Sequence, residues 1–113
     1  MEIKLSNGKI EATVSARGAE LIDLKKEGRA ILWCGDPAVW GFHAPILFPI
    51  CGGLRDDKYL YRGKEYELKK HGFARTAEFA IEEQDATVAS AVAPQPTKCL
   101  PASGSWSAGL MSF

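Results

Sequence analysis

The chain has 113 residues, the length of one modest domain or of a piece of a larger one. Its 14 basic and 14 acidic side chains cancel, so no net field favours nucleic acid or an anionic membrane as a partner. The first ten residues lack the basic and apolar regions of a signal peptide, and no apolar run is long enough to span a membrane, so the sequence predicts a cytoplasmic protein.

The three cysteines, Cys34, Cys51 and Cys99, are odd in number and show no CxxC spacing. This spacing argues against a disulfide framework and against a zinc site. We therefore expect reduced, chemically passive thiols and no metal ion.

The elements predicted from the amino terminus onward are antiparallel strand pairs, because apolar residues recur with a period of two. Ile3 and Leu5 alternate with polar residues before Asn7 and Gly8, and the alternation resumes at Ile10. Asn-Gly between two alternating runs is the strongest short-range hairpin signal, since both residues tolerate positive φ. The sequence therefore predicts a first hairpin with a type I′ turn at Asn7-Gly8.

Three further strand signals follow along the chain. Apolar residues on both sides of Gly28, within 21–24 and 31–33, predict a second strand pair. Tyrosines on both sides of Gly63 predict a third, and residues 77–83 predict another strand. No stretch has the period of an amphipathic helix, so the predicted class is mainly β with antiparallel connections.

Between the second and third strand pairs lie residues 34–57, CGDPAVWGFHAPILFPICGGLRDD, called the crossing segment below. Its three prolines interrupt any strand ladder, yet its aromatic and aliphatic side chains are too apolar for a solvated spacer. We therefore expect an ordered segment packed on the sheet, with Trp40 and Phe42 in the core. Long ordered loops of this kind often carry functional residues.

Five linked motifs resemble those of one family. They are Gly18-Ala19-Glu20-Leu21, the turn from Trp33 to Pro37, Ala44-Pro45-Ile46-Leu47-Phe48-Pro49, Gly63-Lys64-Glu65-Tyr66 and His71-Gly72-Phe73-Ala74-Arg75. In this order they are similar to the amino-terminal part of the aldose 1-epimerase (galactose mutarotase-like) proteins, especially the bacterial branch related to hexose-6-phosphate epimerases. The resemblance implies an antiparallel β-sandwich, here incomplete, and a carbohydrate cleft for a monosaccharide or sugar phosphate. It also implies interconversion of α and β anomers without a cofactor.

His71 is the catalytic candidate that the resemblance provides. Opening a pyranose requires a base for the C1 hydroxyl proton and an acid for the ring oxygen. The resemblance implies that the base is a carboxylate late in the chain, that the acid is a later histidine, and that His71 positions and polarises the sugar near its ring oxygen. Judged by spacing alone, a turn histidine whose ring is only hydrogen-bonded is the favoured interpretation of His71, and the motif resemblance reverses that preference.

Arg75, His43 and Arg55 are the candidate substrate-binding residues. An arginine can hold vicinal hydroxyls or a phosphate bidentately, although a surface or ion-pair role for Arg75 stays open. His43 lies in the crossing segment, where a structural hydrogen bond is the alternative. Relatives usually carry a substrate-contacting arginine where this chain has Gly53, and Arg55, two positions on and expected on the same strand face, is the candidate replacement.

The last part of the chain differs in composition from the rest. From residue 85 to residue 113 only Asp85 and Lys98 are charged, and Ala, Ser, Pro and Gly dominate. We therefore divide the chain into residues 1–84, the amino-terminal part of a mutarotase-like sandwich, and residues 85–113, an atypical low-charge tail expected to be irregular.

Three interpretations of the whole chain remain open at this point. It is the amino-terminal part of an aldose 1-epimerase-like isomerase, a small carbohydrate-binding or regulatory β-module without catalysis, or an inactive fragment. An incomplete sandwich would expose sheet edges and an apolar face, here expected to include Ile10, Leu24 and Phe79, so we also expect self-association.

Overall fold

The strands of the protein follow the alternation in its sequence. A computed structural model describes residues 1–94 and the backbone of residues 110–112. The strands are β1 (Glu2–Ser6), β2 (Ile10–Ser15), β3 (Glu20–Lys26), β4 (Arg29–Ala30), β5 (Lys58–Tyr61), β6 (Lys64–Glu67), β7 (Ala80–Gln84), β8 (Ala89–Val92) and β9 (Leu110–Ser112). Two short 3-10 turns, Arg55–Asp57 and Ala74–Thr76, precede β5 and β7.

All strand pairs are antiparallel and join neighbours in sequence. They form a four-stranded sheet β1-β2-β3-β4, a two-stranded sheet β5-β6 and a three-stranded sheet β7-β8-β9. The mainly β class and the antiparallel hairpins predicted from the sequence are therefore confirmed. Strand β4 ends at Ala30, so the predicted continuation through residues 31–33 is not part of the ladder.

The turn types differ from the prediction. Positive φ in the first hairpin is confined to Gly8, whereas a type I′ turn needs it at both central residues. Asn7 instead acts through its side chain, whose Oδ1 accepts hydrogen bonds from the N–H groups of Lys9 and Ile10. The double positive φ of a type I′ turn occurs in two later hairpins, β3-β4 at residues 27–28 and β5-β6 at residues 62–63.

The core consists of two small clusters between the first sheet and the strands β7 and β8. One contains Ile3, Leu5, Val14 and Ala89, and the register of β1 on β2 places Ile3 opposite Val14. The other contains Ala19, Ala74, Phe79 and Ala91, and the half-buried Ile81 packs against both clusters.

The apolar face expected to be open is only partly so. Ile10 is 43% exposed and Leu24 is half-buried, but Phe79 is buried, because it packs with Ala19 and Ala74 in the second cluster. The expectation that Phe79 lies on an uncovered surface is therefore wrong, and self-association stays a prediction. The radius of gyration of 16.3 Å exceeds the value of about 13 Å typical of a compact domain of this length.

Strand β8 lies beyond the predicted boundary at Asp85. Its residues Ala89 and Ala91 are buried, and its ladder with β7 is antiparallel. The expectation of irregular structure after Asp85 is therefore wrong for Ala89–Val92 and for Leu110–Ser112, which pairs with it, because low charge is compatible with strands as well as with an irregular tail. Residues 95–109 and 113 lie outside the described residues, and the division of the chain at residue 84 stays a prediction.

Candidate functional site

The crossing segment is attached to the sheet by a carboxylate. Glu20, the first residue of β3, accepts hydrogen bonds at Oε1 from the backbone N–H groups of His43 (2.7 Å) and Ala44 (3.0 Å). The Glu20 side chain is largely buried, and charge-assisted hydrogen bonds to a carboxylate are stronger than neutral ones. This contact fixes the middle of the crossing segment against the sheet.

The end of the crossing segment is attached to the segment that carries His71. The His71 N–H donates to the Gly52 carbonyl (2.8 Å), and the Gly52 N–H donates to Nδ1 of the His71 ring (2.9 Å). Two residues nineteen positions apart therefore exchange two hydrogen bonds. His71 is half-buried and its φ is +67°, a left-handed conformation that is uncommon for a residue other than glycine.

A second contact between the same two segments lies next to the first. The N–H groups of Phe73 and Ala74 both donate to the Phe48 carbonyl, at 3.0 and 3.2 Å. Gly72 lies so close to this carbonyl that a Cβ on Gly72 would overlap it. The backbone around His71 is consequently fixed by neighbours on both sides.

Arg75 folds back toward His71. One of its guanidinium nitrogens donates to the carbonyl of Lys70, the residue before His71 (3.2 Å). Its Cζ lies 5.9 Å from the centroid of the Phe42 ring, which is within the range of a cation–π contact. Its Nε is buried and has no hydrogen-bond partner within residues 1–94.

His43 lies beside Glu20, not beside His71. Its Nδ1 is 3.9 Å from the Glu20 carboxylate, and its ring covers Gly35 so closely that a Cβ there would overlap it. These contacts are those of a structural residue, the alternative noted from the sequence. Phe42, the residue before His43, contacts the Arg75 guanidinium group through its ring. A substrate-binding role for His43 stays a prediction.

Arg55 is exposed in the 3-10 turn Arg55–Asp57. The argument that it shares a strand face with Gly53 is wrong, because the backbone from Gly53 to Asp57 is not a strand. A Cβ on Gly53 would lie 3.8 Å from Cγ of Lys70, an ordinary contact, so this position has room for a side chain. A substrate-binding role for Arg55 stays a prediction.

The aromatic residues of the crossing segment are more exposed than expected. Trp40 is 49% and Phe42 is 37% exposed, so the prediction that both lie in the core is wrong. The indole N–H of Trp33 donates to the Trp40 carbonyl (2.9 Å), and the rings of Trp40 and Phe42 are 6.0 Å apart. Polar contacts, rather than burial, thus order this part of the segment.

Two residues that position the site were not recognised from the sequence. The sequence identifies Glu20 only as part of the Gly-Ala-Glu-Leu motif. The available signal was a carboxylate at the start of a half-buried strand, where it can accept hydrogen bonds from the backbone. Gly52 is not among the candidates that the sequence identifies. Nothing in the sequence indicates that its N–H contacts an imidazole nineteen residues away.

The described residues also bear on two other kinds of site, a metal centre and a membrane-spanning helix. No group of three or more His, Cys, Asp or Glu side chains there could hold a metal ion. None of the helices in that part of the chain has the length and apolar character needed to cross a membrane.

Comparison with known proteins extends the family resemblance to most of the chain. A family model described as aldose 1-epimerase matches residues 1–101. The plasmid-encoded protein LacX of Lactococcus lactis subsp. lactis is 42% identical over 89 residues, which are 74% of this chain and 30% of LacX.

Solved structures of similar proteins have the same arrangement of strands. The galactose mutarotase related enzyme from Lactobacillus acidophilus superposes with a TM-score of 0.84 at 36% identity, covering 89% of this chain and 35% of that protein. A galactose mutarotase-like protein from Lactobacillus casei ATCC 334 gives a TM-score of 0.80 at 33% identity, covering 86% and 34%. The chain thus spans about a third of the length of these relatives.

Proposed function

Because the chain belongs to the aldose 1-epimerase family, we propose that it forms the sugar-positioning part of a mutarotase-like site. Such a site interconverts the α and β anomers of an aldose or an aldose phosphate by acid/base ring opening. The observation that carries the proposal is the fixed His71 segment, in which the ring of His71 is oriented by Gly52 and Arg75 folds back to Lys70.

His71 and Arg75 have complementary roles in this proposal. His71 donates a hydrogen bond to the sugar near its ring oxygen, where negative charge develops as the C1–O5 bond breaks. Arg75, whose guanidinium group already donates to the Lys70 carbonyl, would bind a hydroxyl or phosphate oxygen of the ligand through another of its five donors. Arg55 and His43 would border the same ligand.

The 113 residues alone are proposed to be inactive. Ring opening needs two titratable groups on opposite sides of the sugar, and a positioned acid or base contributes about 10²- to 10⁴-fold. Glu20, the carboxylate that anchors the crossing segment to the sheet, already accepts two backbone hydrogen bonds and is therefore a structural group. One imidazole cannot serve both sides of the ring.

Polarimetry on freshly dissolved α-glucose and α-galactose tests the proposal. We expect the 113-residue chain to leave the rate of mutarotation at that of buffer. We expect a longer family member that carries the same His-Gly-Phe-Ala-Arg sequence to accelerate it, and to lose most of that acceleration when the histidine matching His71 is replaced by alanine. A clear acceleration by the short chain, or an unaffected histidine variant, would contradict the proposal.

A further inference from the structure

The hydrogen bond between Gly52 and His71 determines which nitrogen of the ring carries the proton. The Gly52 N–H can only donate, so Nδ1 of His71 must offer its lone pair (2.9 Å). A neutral imidazole with an unprotonated Nδ1 has its proton on Nε2, where it is available to a ligand.

The alternative ring orientations are disfavoured by the backbone. A flip of the ring about its Cβ–Cγ bond would place Cδ2 against the Gly52 N–H and leave that donor without its partner. The His71 N–H donates to Gly52 in return, and Phe73 and Ala74 are bound to Phe48, so the ring and its donor belong to one connected piece of backbone. The partner that selects the tautomer is thus a main-chain group, which has no rotamers.

We infer that the backbone N–H of Gly52 is a positioning group that selects the Nε2–H tautomer of the neutral His71 ring, so that Nε2 donates a hydrogen bond to an oxygen acceptor of the ligand and does not act as a base. Within residues 1–94 no group accepts a hydrogen bond from Nε2, and the ring is only half-buried. The ligand chemistry that fits a neutral donor is a ring or hydroxyl oxygen of a sugar. The role toward the sugar rests on the proposed function, whereas the tautomer does not.

Nuclear magnetic resonance of the ¹⁵N-labelled 113-residue chain tests the tautomer directly. At mildly alkaline pH we expect the His71 nitrogens to show one tautomer, with an unprotonated Nδ1 and a protonated Nε2. We also expect a coupling across the hydrogen bond between the Gly52 amide nitrogen and Nδ1. His43 is the internal control, because its ring receives no hydrogen bond from the backbone within the described residues. A His71 ring with the proton on Nδ1, or with the tautomer mixture of free histidine, would overturn the inference.

Two substitutions of His71 distinguish the role of Nδ1 from that of Nε2. His71→Asn keeps an acceptor near the position of Nδ1 and tolerates the positive φ, but has no donor at the position of Nε2. We expect the Gly52 amide to keep its protection from hydrogen exchange in His71→Asn and to lose it in His71→Ala. Equal loss of protection in both variants would overturn the inference.

The role of the donor is tested in a longer family member with the same segment. There, replacing the matching histidine by asparagine should lower kcat about 10²-fold, since a single preorganised donor contributes about that much. Glutamine, which retains a distal N–H, should lower it less. If the tautomer is confirmed but both variants retain full kcat, the proposed function is wrong for His71. If the tautomer is not found, the inference fails whatever the kinetics show.

Discussion

The sheet β1–β3 and the crossing segment are ordered by different interactions. In the sheet, alternate apolar side chains such as Ile3 and Val14 are buried, and Val14 is only 1% exposed. In the crossing segment, large apolar side chains such as Trp40 and Phe42 are exposed, and the side chains of Glu20 and His71 fix the backbone by accepting hydrogen bonds from its N–H groups. Burial therefore stabilises the region that carries no candidate site residue, and polar contacts set the geometry of the region that does.

A first test of this difference compares a buried and an exposed isoleucine of the first hairpin. We expect Ile3→Ala to lower the free energy of unfolding by about 2–5 kcal/mol, because it leaves a cavity in the core. Ile10→Ala is the matched control, and we expect a clearly smaller change, because Ile10 is 43% exposed and its truncation leaves no cavity in the core. Urea unfolding followed by circular dichroism measures both, and equal effects would contradict the assignment of the core.

A second test compares two glycines with similar positive φ, Gly72 (+71°) and Gly63 (+75°). Alanine should cost about 1–2 kcal/mol at either position, the cost of a left-handed conformation. Gly72→Ala should cost more, because its Cβ would overlap the Phe48 carbonyl, whereas a Cβ on Gly63 meets no atom within 4 Å. We expect faster amide exchange at Phe73 and Ala74 in Gly72→Ala only, and the same exchange rates in both variants would show that the contact with Phe48 does not order the segment.

A third test removes the anchor of the crossing segment. Glu20→Ala leaves the N–H groups of His43 and Ala44 without their acceptor, which should cost about 1–3 kcal/mol. Glu20→Gln retains a carbonyl oxygen at the same place and should cost less. Amide exchange of His43 and Ala44 should increase in the alanine variant and stay low in the glutamine variant. If both variants exchange alike and slowly, packing rather than Glu20 orders the segment.

The sequence predicted the region ordered by burial much better than the region ordered by polar contacts. Alternation around Ile3, Leu5 and Ile10 identifies the first hairpin, because a period of two has a direct physical meaning for a strand. The prediction of a type I′ turn at Asn7 was wrong, because the Asn7 side chain, not its backbone conformation, closes the hairpin. Composition placed a boundary at Asp85 because it cannot distinguish a buried alanine strand from an irregular tail.

The candidate site was predicted through its motifs and not through its geometry. The family resemblance that singled out His71 and Arg75 is confirmed for the family and for the fold, and the roles of both residues stay proposals. The pairing of His71 with Gly52, and of Glu20 with His43 and Ala44, joins residues far apart in sequence. Such contacts depend on the tertiary structure and leave no local pattern.

The smallest expected effect concerns the turn between β7 and β8, where a polar contact orders backbone next to the core. The backbone N–H groups of Thr87 and Val88 donate to the Asp85 carboxylate. These hydrogen bonds, with that of Thr87 the larger cause, lower the pKa of Asp85 below the ordinary value of 3.8. A carboxyl whose pKa is lowered on folding stabilises the folded state above its unfolded pKa, and this stabilisation is lost as the pH falls through the folded pKa. We therefore expect the turn to be unchanged at neutral pH and to loosen only below about pH 3.8. The hydrogen bond from the Ser6 N–H to the Ala86 carbonyl should weaken in the same pH range.

An acid titration followed through the amide signals of Thr87 and Val88 measures this effect. Asp85→Asn is the control, because its amide oxygen still accepts hydrogen bonds but does not titrate in this range. We expect a titration midpoint below 3.8 in the original chain and no titration of these two signals in Asp85→Asn. A midpoint at or above 3.8 would mean that the two N–H groups do not favour the ionised carboxylate. The contrast between burial in the sheets and side-chain polar contacts in the connections would then not extend to this end of the described chain.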